Sequence, residues 1–96
     1  MTNIYIVDNK KYLGGLDVDY GASLEIIGET DNAYLCYRAG YTGWYQVGLT
    51  QYYSPAFYVF SKSPLEELRE FEYSRATKKE TLAKALEFLK GVRGGR

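Results

Sequence analysis

The chain has 96 residues, 46% of them hydrophobic and 25% charged, and its twelve basic residues balance twelve acidic ones. That length holds one domain, and zero net charge argues against phosphate-driven binding, which needs a surplus of Lys and Arg. Histidine is absent and cysteine occurs once, which removes Ser–His and Cys–His nucleophile systems, four-ligand zinc sites and internal disulfides.

In chain order, Asn3-Ile-Tyr-Ile-Val7 reads as a β-branched strand, closed by the turn signal Asp8-Asn9. Met1 to Asn9 shows neither a basic region nor a long apolar run, and nothing approaches the roughly 20 apolar residues of a membrane span. No membrane partner and a reducing, cytoplasmic setting are therefore expected. Gly14-Gly15 breaks the next segment. Asp17, Asp19 and Glu25 are the carboxylates that paired acid–base or metal chemistry would use, and they read as solvated charges.

Leu24 to Ile27 is a second strand, ended by Gly28 and the polar turn Thr30-Asp-Asn32. Ala33 to Ala39 is a third and holds Cys36, read as a buried small hydrophobe. Gly40-Tyr-Thr-Gly43 reads as a hairpin turn into a fourth strand, Trp44 to Leu49. After a loop through Ser54-Pro55, Ala56 to Phe60 is a fifth.

Two helices are expected next. Ser63-Pro64-Leu65-Glu66 reads as a capping box, with Leu65, Leu68 and Phe71 on one face. Thr77-Lys-Lys-Glu80 reads as a second box, followed by Leu82, Ala85, Leu86 and Leu89, an (i, i+4) Glu80–Lys84 pair and a left-handed cap at Gly91. The expected fold is α+β. Residues 1–62 form a small five-stranded barrel or bent antiparallel sheet, residues 63–90 two helices packed on it, and residues 91–96 a flexible tail.

Gly21-Ala-Ser-Leu-Glu-Ile-Ile27, Thr30-Asp-Asn32, Tyr34-Leu-Cys-Tyr37 and Gly40-Tyr-Thr-Gly-Trp-Tyr45 together resemble the SH3-like barrels, especially the bacterial kind. Leu16-Asp-Val-Asp-Tyr20 is faintly similar to the Ala-Leu-Tyr-Asp-Tyr stretch of eukaryotic members. The resemblance implies a small barrel. It does not imply a proline-peptide groove, because Tyr34-Leu35 stand where that groove has its tryptophan pair.

Tyrosine is the outlying feature: eleven in all, seven of them between positions 34 and 58. Tyr and Trp are enriched at protein interfaces. Neither catalytic residues, cofactor nor metal is expected. The expected function is a small non-enzymatic protein-binding module, an inhibitor or adaptor of the kind phages and mobile elements encode. Its contact residues are expected to be Tyr37, Arg38, Tyr41, Trp44, Tyr52 and Tyr53. Stacking of single-stranded nucleic acid on the same rings is one alternative. A self-associating assembly subunit, a homodimer in the simplest case, is another.

Overall fold

Asp8 and Asn9 both adopt positive φ, 53° and 68°, the backbone of a two-residue hairpin turn whose twist suits the strands it joins. It links β1 (Asn3–Val7) to β2 (Lys10–Gly14), with Val7 opposite Lys10. Gly15, at φ 74°, then turns the chain out of β2. The computed structural model describes residues 3–16, 20, 23–39, 41–44, 50–53 and 55–93. The expectations for Asp17, Asp19, Gly40, Tyr45 and residues 94–96 lie outside the described residues.

The chain continues through β3 (Ser23–Glu29), β4 (Ala33–Arg38), β5 (Tyr41–Trp44), β6 (Thr50–Tyr53), β7 (Ala56–Lys62), β8 (Leu65–Glu72) and one helix, α1 (Lys78–Gly91). Six strands form one antiparallel sheet in the order β1-β2-β3-β4-β7-β8, while β5 and β6 pair only with each other. The connection between β4 and β7 is thus itself a hairpin.

Strands β4 and β7 both lie inside the sheet, each paired on two sides, and both carry buried side chains on their two faces. Ala56 to Phe60 are all buried, and alternation along the strand sorts them. Phe57 and Val59 join Ala33 and Leu35 beneath α1, where Ala85 and Leu89 complete the cluster. Ala56, Tyr58 and Phe60 join Leu13, Leu24 and Cys36 on the opposite face, with Leu16, Tyr20 and Leu65 packed against them. Each fully buried large side chain contributes about 1.5–3 kcal/mol of transfer free energy.

The fold is an open six-stranded sheet with one helix, not a five-stranded barrel with two. The segment expected as the first helix is β8. Ser63 and Pro64, joined by a cis peptide bond, form a two-residue turn flanked by the Lys62–Leu65 pair. Without β8, the far side of β7 would leave a row of backbone N–H and C=O groups unpaired beside a buried core. Satisfying that row outweighs the helix preference of Leu, Glu and Arg, which amounts to a few tenths of a kcal/mol per residue. Leu65, Leu68 and Phe71 then share no stripe. Leu65 packs with the Tyr58 cluster and Phe71 with the helix-side cluster, while Leu68 falls at a register shift, exposed, between Glu67 (opposite Phe60) and Arg69 (opposite Val59).

Two further boundaries differ. Residues 41–43, expected in a turn, belong to β5, which already runs from Tyr41 to Trp44, and the residues expected as a loop at Tyr52-Tyr53 belong to β6; the rest of the strand expected from Trp44 to Leu49 lies outside the described residues. Gly43 sits within this ladder opposite Gln51. The helix lies where expected, with Thr77 at its N-cap, but the capping box is formed by Ser74 and Thr77 and not by Thr77 and Glu80. The Ser74 N–H donates to Thr77 Oγ1 at 2.9 Å, ahead of the 3-10 turn Arg75–Thr77. It ends without a left-handed glycine, because Val92 turns to extended backbone and its N–H donates to the Leu89 carbonyl at 3.2 Å.

Candidate interaction surfaces

Tyr37 and Arg38 are consecutive in β4, so they face opposite sides of the sheet. Tyr37 is half-buried on the helix side. Its ring centre lies 5.7 Å from that of Phe57, which stacks on Tyr73 at 4.9 Å. The Lys78 ammonium closes this group from the first turn of α1, 5.1 Å from the Tyr37 ring centre and 5.9 Å from that of Tyr73. Burial, then the hydrogen bond with Tyr37, push the Tyr73 phenol well above its ordinary range. This is the seat of the helix, and Tyr37 belongs to it.

Arg38 lies on the other face, its guanidinium carbon 5.4 Å from the Tyr58 ring centre. Burial pushes the Tyr58 phenol up to about 12, against the opposing pull of the Arg38 charge. Tyr58 donates to Glu70 Oε2 at 3.4 Å, and Tyr20 donates to Glu67 Oε1. The Tyr20 ring meets Tyr58 edge-on at 5.2 Å and Phe60 at 5.5 Å. A phenol held as firmly protonated as that of Tyr58 serves poorly as an acid or base near neutrality. The two hydrogen bonds and the ring contacts fasten Tyr20 and β8 to the sheet.

The other four predicted contact residues come together in the β5–β6 hairpin. Its register sets Tyr41 opposite Tyr53 and Thr42 opposite Tyr52, with Trp44 opposite Thr50. Positions 41 and 53 therefore share one face of the ribbon, and positions 44 and 52 share the other. The structure divides the six expected residues into three groups: Tyr37 under the helix, Arg38 beside Tyr58, and the remaining four on a hairpin of their own.

One surface went unnoticed in the sequence. Strand β1 forms an edge of the sheet, and Ile4, Tyr5, Ile6 and Val7 are all exposed, Ile6 to 69%. The opposite edge, β8, exposes Glu66, Glu67, Arg69, Glu70 and Glu72. The available signal was the absence of any charge from the run Asn3–Val7, which a covered strand and a bare edge share.

No family model, curated protein or solved structure matches the chain. Among the described residues, no helix is long and apolar enough to cross a membrane, and no group of three or more Cys, Asp or Glu is placed to hold a metal ion.

Proposed function

We propose that the chain is a protein-binding module without catalytic chemistry of its own, and that it meets its partner through the β5–β6 hairpin. One observation carries this reading. Two four-residue strands hold Tyr41, Trp44, Tyr52 and Tyr53, and neither shares a backbone ladder with the six-stranded sheet. Aromatic side chains dominate interface energetics, commonly at about 2 kcal/mol or more each on truncation to Ala. A ribbon that shares no ladder with the sheet suits an arm that inserts into a cleft better than a flat contact.

The test is site-specific photocrosslinking in native lysate. A benzoylphenylalanine at position 52 is expected to give one stoichiometric protein adduct, and the same probe at position 79 on α1 is expected to give none. Trp44→Ala and Tyr52→Ala are expected to lose the adduct from a probe at position 41 while keeping the parent melting temperature. Adducts with nucleic acid alone, or equal protein adducts from positions 52 and 79, overturn the assignment.

A further inference from the structure

The two edges of the sheet are guarded very differently. Along β8, Glu66, Glu67, Glu70 and Glu72 with Arg69 line the edge, and a register shift at Leu68 bends it; charge and irregularity are the usual means by which an edge strand is kept from pairing. Strand β1 has neither. It reads Asn3-Ile-Tyr-Ile-Val7, without charge or proline, in unbroken register with β2, and among the described residues nothing pairs with its outer side.

From this we infer that β1 is the contact between two copies of this chain, paired antiparallel about a twofold axis through Tyr5, so that one sheet runs through both protomers. The sequence of the strand is nearly its own reverse. With Tyr5 opposite the partner's Tyr5, Ile4 falls opposite Ile6 and Asn3 opposite Val7. Both isoleucine pairs then meet on the face that carries Leu13 and Lys11, and the tyrosines meet on the other. Tyr5 already stacks on Tyr12 of its own protomer, with ring centres 5.5 Å apart and planes 15° from parallel, so the pairing extends an aromatic ladder across the axis. Directly opposed apolar pairs of this kind are the unit of sheet stabilisation.

Charge selects this occupant over the alternative that the chain also offers. Pairing β1 with β8 of another copy would set Ile4 to Val7 against a row of glutamates and would propagate without closing. Pairing β1 with itself brings no charged residue of the strand into the interface and closes after two copies. The contact involves one five-residue strand from each protomer, below the roughly 1,200–2,000 Å² of a standard interface, so a dimer of micromolar strength is expected and the test must span that range.

Sedimentation of the full chain between a few and several hundred micromolar is expected to show the mass rising from 11.0 kDa toward twice that value and stopping there. Ile6→Glu is expected to weaken association about tenfold or more, because it replaces an apolar cross-strand pair with a carboxylate set opposite the partner's Ile4. The same substitution sets that carboxylate opposite Lys11 within the protomer, so circular dichroism and melting temperature should hold. Under mild oxidation Tyr5→Cys is expected to form a covalent dimer, which Lys79→Cys should not. A monomer throughout the range, growth beyond two copies, or association indifferent to Ile6→Glu overturns the inference.

Discussion

Lys62 Nζ lies 2.6 Å from Glu29 Oε2 and 4.9 Å from the centre of the Tyr34 ring, so β7 and β3 are tied together across the end of the strand between them. Lys11 adds a second ammonium 3.2 Å from the other Glu29 oxygen. The hydrogen bond from Lys62, then that from Lys11, hold the Glu29 carboxyl below the usual carboxylate range, and Glu29 in turn raises Lys62.

The folded chain therefore takes up the Glu29 proton at lower pH than the unfolded chain does. The stabilisation is complete above the ordinary carboxylate range and disappears as pH falls through the lowered value. The raised Lys62 extends it upward until pH passes the raised ammonium value. Both groups are solvent-screened, and exposed pairs are worth about 0.5 kcal/mol, or ~2–4 °C in a domain of this size. Glu29→Gln is expected to lower the melting temperature by that amount at pH 7 and by nothing once the carboxyl is protonated. A difference that persists unchanged into strong acid refutes the role of the charge.

The helix supplies a comparison between two leucines three residues apart. Leu89 is 4% exposed and sits in the cluster with Leu35 and Val59, whereas Leu86 is 38% exposed. Leu89→Ala is expected to cost about 2–4 kcal/mol. Leu86→Ala should stay within about 0.5 kcal/mol, since little surface is uncovered and alanine favours the helix. Urea unfolding of both variants measures the difference, and equal losses would show that the helix is rotated from the position described.

Cys36 is fully buried in β4 opposite Tyr58, and burial pushes its thiol up to about 12. A disulfide reagent at pH 8 is expected to leave it unmodified in the native protein and to titrate one thiol after denaturation, because the thiolate is the reacting species. Rapid native labelling would place Cys36 elsewhere.

Gly28 offers a gain. A Cβ built there would lie 3.4 Å from Leu35 Cβ and 3.6 Å from Leu89 Cδ2, an ordinary contact distance. Gly28→Ala is expected to hold or raise stability by up to about 1 kcal/mol through reduced freedom of the unfolded chain. Gly28→Leu has no such room and is expected to destabilise by about 1–3 kcal/mol. The melting temperature of Gly28→Ala should not fall below the parent value, and that of Gly28→Leu should.

Elements with their own local chemistry were legible in the sequence. Asp8-Asn9 marks a hairpin because few other residues tolerate positive φ twice in succession, and the apolar run Ala56–Phe60 marks a buried strand wherever its partners lie. The helix from Lys78 was legible in its span, yet its buried line runs through Ala85 and Leu89 with Leu86 left outside. Strand β8 was hidden because Leu65-Glu-Glu-Leu-Arg reads as helix on every local scale, and only the unpaired side of β7 overrules it. The aromatic content of the candidate surface was visible. Its division was not, since Tyr37-Arg38 and Tyr52-Tyr53 are neighbours in sequence and belong to opposite faces once each pair lies in a strand.

Because β4 pairs directly with β7 across an inserted hairpin, the recognition arm proposed above and the ladder that joins the sheet are written in separate stretches of chain. The ladder from Ala33–Ser61 to Arg38–Ala56 is specified by its own residues on both sides, and lengthening the excursion between them adds only ~0.6 kcal/mol per doubling. Lengthening or exchanging positions 41–44 and 50–53 is accordingly expected to leave the ladder between β4 and β7 in place. On the function proposed above, such a scaffold would change targets by rewriting one short ribbon while its sheet stayed the same.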